Sequence, residues 1–340
     1  MTNFDITPEE RASAKAFFKR QLFREPPYTA PGQVDLAGKT AIVTGSNIGL
    51  GLECSRQLLD LGLTKLIIAV RSESKGQQAK KDLLIGRAAS TIIEVWSLDL
   101  CSYDSITAFA ERTKTLDRLD IVIHNAGIVK ANLEINQSTG HDECTQVNYL
   151  SLALLSILLL PILKEKNTAP DVGRLVLVSS DTAAWAAFKE RDSTPLLSAF
   201  DKPEYFDAAQ RYWASKLLGQ FFLKELAERV PSSVAVINAP NPGWCYGTGL
   251  NRENGGLILN IIKRLVGRSS AVGARALVDA AVNHGPESHG HYLEDGKPQP
   301  MAPLVYASEG DQLAKKLWKE TMAELAFAKV EDIVIRLSEK

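Results

Sequence analysis

The chain has 340 residues, 45% of them hydrophobic and 23% charged, and its 39 basic and 40 acidic side chains nearly cancel. That composition excludes wholesale disorder. The absence of a basic surplus argues against nucleic acid or an acidic membrane surface as the main partner. Cys54, Cys101, Cys144 and Cys245 lie far apart with no metal-ligand spacing, so they read as reduced thiols and no metal is expected. The opening run MTNFDITPEERASAKAFFKR carries early acids and no apolar core, unlike a signal peptide. The most apolar stretch, Leu152–Leu163, is shorter than the ~20 residues of a membrane span and contains Ser156 and Pro161, so it reads as a buried helix. The expectation is a soluble, cytoplasmic protein with no transmembrane segment.

Residues 1–37 read as an extension. Thr7-Pro8-Glu9-Glu10 predicts a helix start with Thr as cap, and the helix carries Ala16, Phe17 and Phe18 until Pro26, Pro27 and Pro31 end it. It packs on the body or at a subunit contact; a membrane-surface anchor is the alternative. From Lys39 onward, short apolar runs predict buried strands at Thr40–Thr44, Leu66–Val70, Ile92–Leu98, Ile121–His124, Leu175–Ser179 and Val234–Asn238, with amphipathic helical segments between them. Strands alternating with helices imply an α/β fold of the Rossmann type, a doubly wound parallel sheet covered on both faces. No linker interrupts residues 38–340, which are read as one domain.

The first strand runs into Thr44-Gly45-Ser46-Asn47-Ile48-Gly49-Leu50-Gly51 and then a helical segment. Glycines between a strand and a helix permit a tight turn, close approach of a ligand and close helix–strand packing, while the helix N-terminus offers N–H groups to a pyrophosphate. The second strand ends at Arg71, with Ser72 and Lys75 nearby and no acid at its end. An acid there suits a ribose 2′-hydroxyl, and a guanidinium suits a 2′-phosphate, so NADP(H) is favoured over NAD(H).

Tyr212-Trp213-Ala214-Ser215-Lys216 opens a helical segment that Pro231 stops. Tyr212 and Lys216, one turn apart, face the same way. An ammonium ~4 Å from a phenol, at an effective dielectric of ~20, favours the phenolate by about 4 kcal/mol, enough to make tyrosine a proton carrier near neutrality. Upstream, the fifth strand ends in Ser179-Ser180, and Asn148 sits near the start of the apolar helix.

These residues, in this order, resemble the short-chain dehydrogenase/reductase family over roughly residues 38–300. Thr44–Gly51 matches its TGxxxGxG motif, Asp99-Leu100 the acidic motif near the adenine, and Asn125-Ala126-Gly127 the NAG motif. Asn148, Ser180, Tyr212 and Lys216 match the catalytic tetrad. Pro242-Gly243 matches the PG motif, with Thr248 as the threonine beside the nicotinamide carboxamide. Within the family, LIIAVRSESKG (Leu66–Gly76) resembles the retinol-dehydrogenase-like branch, and NPGWCYGTGL (Asn241–Leu250) its fungal members, many of which tailor secondary metabolites. The resemblance implies that Tyr212 is the general acid/base, Lys216 lowers its pKa and contacts the nicotinamide ribose, Ser180 polarises the carbonyl, and Asn148 holds a water. The cofactor-binding set it implies is Gly45, Ser46, Asn47, Ile48, Gly49, Leu50, Arg71, Asp99, Leu100, Asn125, Ala126, Gly127, Tyr212, Lys216, Pro242, Gly243 and Thr248.

The sequence departs from the family between serine and tyrosine. The inserted stretch Asp181–Arg211, with Trp185, Phe188, Phe200, Tyr205 and Phe206, is expected to wall the substrate pocket, and residues 244–266 to cover it. His289 and His291 lack a third metal ligand and read as surface or turn residues; His124 reads as core. The apolar helix from Asn148 serves a homodimer contact or burial within one subunit, since both demand the same residues. The function these features predict is NADP(H)-linked hydride transfer on a carbonyl/alcohol pair of a small-to-medium apolar molecule. A redox-neutral isomerase or cyclase on the same site and a non-catalytic NADP-binding sensor are the alternatives.

Overall fold

The structure is a computed structural model, and it describes residues 4–167, 171–250 and 264–339. Two helices, α1 (Pro8–Ala12) and α2 (Ala14–Phe23), precede β1 (Thr40–Thr44), α3 (Gly49–Asp60), β2 (Lys65–Val70), α4 (Glu73–Leu84), β3 (Ile92–Ser97), α5 (Tyr103–Thr113) and β4 (Ile121–His124). Then follow α6 (Glu143–Lys166), β5 (Gly173–Leu177), α7 (Ala208–Arg229), β6 (Ala235–Pro240), β7 (Cys245–Tyr246) and β8 (Arg268–Ser269). The chain closes with α8 (Ser270–Val282), β9 (His291–Glu294), β10 (Lys297–Gln299), α9 (Ser308–Glu324) and α10 (Val330–Ser338).

The six expected strands and the added β9 and β10 form one doubly wound, eight-stranded sheet in the order β10-β9-β6-β5-β4-β1-β2-β3, parallel except for β10. Alternating strand residues feed two cores. Ile42, Ile67, Val122, Leu175 and Ile237 face α5, α6, α7, α9 and α10, whereas Ala41, Val43, Ile68, Ile123 and Val176 face α3, α4 and α8. Burial on both faces is why these strands read as unbroken apolar runs. β1 pairs with β2 on one side and β4 on the other, and the chain direction of winding reverses between β1 and β4. Crevices at the carboxyl ends of strands beside such a reversal hold ligands in open α/β sheets.

Three differences from the sequence reading have clear causes. The N-terminal helix is two helices, because Ser13 leaves helical backbone (ψ 146°) and its hydroxyl caps Ala16 N of α2. The Thr7–Glu10 capping box forms as expected. The edge hairpin β9–β10 was not expected; Asp295 and Gly296 turn it with φ of 49° and 80°, the backbone that an Asp-Gly pair supplies. The apolar helix is longer than expected and is long and apolar enough to cross a membrane, yet 89% of its most apolar window is buried against the sheet and its neighbours.

Candidate active site

The turn after β1 is built for close approach. Gly45 and Gly49 take φ of +64° and +61°, a backbone that side chains rarely adopt. A Cβ on Gly51 would lie 2.5 Å from Asn125 Nδ2 and 2.7 Å from Gly45 O, so only glycine lets α3 start this close to the strand ends. No side chain caps α3 and no acid sits in its first turn, so its N–H groups and positive end remain for an anion. Ser46 turns its hydroxyl inward to Val43 O (2.7 Å), and Leu50 packs towards Gly273 of α8, so these two offer main chain rather than side chain to the cleft. Asn47 is half-buried and Ile48 exposed at the rim.

Neighbouring strand ends surround the turn. Asn125 Nδ2 donates to Thr44 O (2.9 Å) and Ala126 N to Thr44 Oγ1 (3.0 Å), which locks the ends of β1 and β4 together. Arg71, after β2, is exposed and forms no ion pair among the described residues, while Ser72 beside it caps α4. Asp99 and Leu100 are half-buried after β3, and Asp99 Oδ1 accepts from Cys101 N (3.0 Å). Thr248 packs on the cradle from above: a Cβ on Gly49 would meet Thr248 Cα at 3.0 Å. The structure therefore brings Asn125, Ala126 and Thr248 onto the cradle after β1, while Arg71, Asp99 with Leu100, and Pro242 with Gly243 follow the carboxyl ends of β2, β3 and β6 in the same sheet. A glycine cradle that a Cβ would fill, an uncapped helix start and an unpaired guanidinium suit a dinucleotide carrying phosphates.

The four expected catalytic residues converge beside this cradle. Tyr212 lies in the first turns of α7 with Ser180 near its phenol, while the Ser180 hydroxyl shares a hydrogen bond with Thr182 Oγ1 (2.9 Å). Ser180, rather than Ser179, faces the tyrosine; Ser179 is buried and accepts from Gln220 Nε2 (3.3 Å). Lys216 is buried and its Nζ donates to Val178 O (2.9 Å), 5.8 Å from the Tyr212 ring centroid. Gly127 lies between Asn148 and Lys216, for a Cβ there would sit 3.2 Å from Asn148 Oδ1 and 3.9 Å from Lys216 Nζ.

One expectation about this group needs correction. The phenol of Tyr212 is pushed up, not down, because burial disfavours the phenolate more than the nearby Ser180 favours it. Burial instead brings Lys216 down to about 8. Asn148 sits in a π-helical turn, Gln146–Leu150, and its side-chain amide is engaged. Oδ1 accepts from Ile128 N (2.8 Å), and Nδ2 donates to Ile128 O (2.9 Å) and Ser215 Oγ (3.0 Å). The side chain fixes the segment after Gly127 to α7, and Oδ1 keeps a second lone pair able to accept from a water.

The insertion between serine and tyrosine also differs from the expected pocket wall. Phe188 and Phe200 are buried in the core, and Glu320 of α9 accepts from Leu196 N (2.9 Å) and Leu197 N (2.8 Å). Its far end wraps Arg211, which is buried over the Phe200 ring near Asp142 and Glu190. Only Asp181–Trp185, a 3-10 turn capped by Ser180, borders the cleft, and there Trp185 meets Phe17 and Trp213 edge-on at 5.0 and 5.9 Å. Of the expected covering segment, residues 251–263 lie outside the described residues.

Sequence reasoning missed the polar core behind this turn. Arg11 and Arg20 reach Glu294, while Arg268 pairs with Asp295, and all three are at least largely buried. Arg11 also donates to the Tyr292 hydroxyl. Asp181 lies in the same group, held up at about 6 by burial and by Glu294 against the pull of Arg11 and Arg20. The histidines are structural. His124 is buried and pushed to about 3, so it is neutral. His289 lies in the turn after Pro286–Ser288, as expected, and is half-buried: it accepts from Ile237 N and donates to Val230 O, tying the end of α7 to β6.

Comparison with known proteins agrees with the geometry. The family model for short chain dehydrogenases matches residues 39–189. Short-chain dehydrogenase fogG of Aspergillus ruber is 51% identical over 98% of this chain and 99% of its own. Short chain dehydrogenase/reductase mfmJ of Annulohypoxylon moriforme is 45% identical over 94% and 93%. Among solved structures, an NADPH-bound carbonyl reductase from chicken fatty liver shares the fold, with a TM-score of 0.57, 22% identity, and coverage of 78% of this chain and 99% of that one. With cradle and strand-end motifs at the carboxyl ends of one sheet, the tetrad beside the cradle, and near-full-length relatives among fungi, the chain belongs to the short-chain dehydrogenase/reductase family, among its fungal members.

Proposed function

We propose that the chain is an NADP(H)-dependent ketoreductase or alcohol dehydrogenase acting on a small-to-medium apolar carbonyl/alcohol pair, a secondary metabolite. The observation that carries this reading is the convergence of Tyr212 and Lys216, 5.8 Å from ring centroid to Nζ on one face of α7, with Asn148 across Gly127 beside the glycine cradle. Gly45, Ser46, Asn47, Ile48, Gly49 and Leu50 would hold the pyrophosphate through main-chain N–H groups. Asp99 and Leu100 would flank the adenine, and Asn125, Ala126, Gly127, Pro242, Gly243 and Thr248 the nicotinamide half. Bound NADPH would supply hydride to the carbonyl carbon.

The protein's own part is proton transfer and orientation. A phenol raised by burial is protonated at neutral pH, so Tyr212 stands ready to give its proton to the carbonyl oxygen as charge develops there. Ser180 donates to the same oxygen and fixes its position. The ammonium of Lys216 stabilises the phenolate left behind. These states favour reduction as the working direction. Lys216 holds its proton below about pH 8 and loses it above. Reductive kcat is therefore expected to stay level on the acid side of that value and to fall on the alkaline side; a profile flat far into the alkaline range contradicts the role given to Lys216.

Arg71 is the residue that selects the cofactor. Its guanidinium would bind the 2′-phosphate by charge-assisted hydrogen bonds worth about 1.5–3 kcal/mol. Arg71→Ala is expected to reduce the preference for NADPH over NADH by ~10- to 100-fold, read as the ratio of kcat/KM values. An unchanged ratio removes Arg71 from the phosphate site. The function as a whole is tested by mixing wild-type protein with NADPH and a panel of apolar ketones and aldehydes and following loss of the reduced nicotinamide. Consumption is expected with some member of the panel, and tight NADPH binding without consumption by any member counts against it.

A further inference from the structure

The N-terminal helices reach the site from behind, and one of their side chains, Gln21, meets the turn after β6. Gln21 of α2 is 6% exposed, and both ends of its amide are engaged across more than two hundred residues of sequence. Nε2 donates to Trp244 O (3.0 Å) and Val266 O (3.1 Å), and Oε1 accepts from Trp244 N (3.0 Å). A Cβ on Gly243 would lie 2.9 Å from that Oε1, so the amide rests against the Gly243 backbone, which holds φ of +74°. Arg268 secures the other side of the same turn, donating to Pro242 O (3.3 Å) and to Arg20 O (3.1 Å) and Arg24 O (2.8 Å) at the end of α2. The turn that leaves β6 is thus held by α2 together with its own neighbours, since Asn241 Oδ1 accepts from Gly243 N (3.0 Å) and Arg268 N donates to Trp244 O (2.9 Å).

We propose that Gln21 is a positioning residue for hydride transfer, setting the Gly243–Trp244 turn against which the nicotinamide edge is aligned. The inference rests on the assignment of Pro242, Gly243 and Thr248 made above. The chemistry of the residue suits the task. Two carbonyls and one N–H must be met at once, and among side chains of this length only an amide both donates twice and accepts. A charge would also sit among Asp181, Glu294, Asp295, Arg20 and Arg268, which line the same small space. Gln21 makes no contact with the cradle or with Arg71, so the dinucleotide's phosphates keep their partners when it is lost.

Gln21→Met keeps length and volume and removes all three hydrogen bonds. Its kcat with NADPH and the best carbonyl is expected to fall by at least ~10-fold, because an error of ~1 Å at the reacting centre costs about 10²-fold. Its Kd for NADPH, measured by nicotinamide fluorescence, is expected to stay within about threefold of wild type. Leu22→Ala, on the exposed side of α2, is expected to leave both unchanged. Should Gln21→Met not fold, Gln21→Glu, which keeps one acceptor and loses both donors, carries the same expectation. A folded Gln21 variant with kcat within about twofold of wild type, or with a loss confined to NADPH affinity, overturns the inference. Wild-type protein that binds NADPH and turns over no carbonyl overturns the function and this inference together. An active wild type matched by an equally active Gln21→Met overturns this inference alone.

Discussion

Tyr212→Phe is expected to lower kcat for carbonyl reduction by about 10²–10⁴-fold while leaving NADPH affinity within a few-fold of wild type. The substitution removes one oxygen. Phenylalanine fills the same place at the start of α7, so the cradle and the strand ends are untouched. What disappears is the proton donor to the carbonyl oxygen. Hydride arriving at carbon then leaves a charge on oxygen that the remaining hydroxyl of Ser180 stabilises but does not neutralise. Lys216 does not replace the phenol, because its Nζ is turned to Val178 O (2.9 Å). Steady-state kinetics beside a fluorescence titration with NADPH separates the two effects. A variant that keeps more than about a tenth of wild-type kcat shows that another group delivers the proton.

The second large effect concerns stability and lies far from the chemistry in sequence. Glu294, at the end of β9, is 4% exposed and receives Arg20 (2.9 Å), Arg11 (3.4 Å) and Asn241 Nδ2 (2.7 Å). Its carboxyl is held below the usual range by the two guanidinium groups, in spite of burial. Glu294→Ala leaves Arg11, itself 1% exposed, as a buried charge with no direct carboxylate partner, only the Tyr292 hydroxyl and ring in contact and Asp181 nearby. Removing one partner of a buried ion pair costs about 3–5 kcal/mol, against ~0–1 kcal/mol for a surface pair. The urea midpoint is expected to drop accordingly, with α1 and α2 the first elements to open, seen as early proteolysis near Ser13. A loss below about 1 kcal/mol means that solvent reaches the cluster and that the extension is held by its apolar contacts instead.

The two halves of the molecule were unequally readable. Strands β1 and β4 lie where the apolar runs place them, because a parallel strand covered on both faces has to be apolar throughout. The cradle and the tetrad were readable for a related reason: a positive φ, a close approach and a one-turn spacing each restrict residue type locally. The polar core under the extension was not. Arg11 and Glu294 are 283 positions apart, and an arginine on a short amphipathic helix looks like a solvated charge until its partner strand is placed. The β9–β10 hairpin has a local signal in Asp295-Gly296, the pair that supplies positive φ at a tight turn. The insertion misled by composition. Its aromatics suggested a pocket wall, yet Phe188 and Phe200 serve the core and Arg211, leaving Trp185 at the cleft. For Tyr212, spacing gave the right neighbours and the wrong sign, because burial of the phenol outweighs an ammonium whose hydrogen bond goes elsewhere.

The claim on which the rest depends is that this crevice moves hydride to a carbonyl carbon while Tyr212 supplies the proton. The most direct measurement follows the label from NADPH deuterated at the transferring C4 position into product by mass spectrometry, with wild type and Tyr212→Phe side by side. The expected result is one deuterium per alcohol formed by wild type and no labelled product from the variant on the same timescale. Product formed without deuterium, or labelled product formed equally by both proteins, contradicts it.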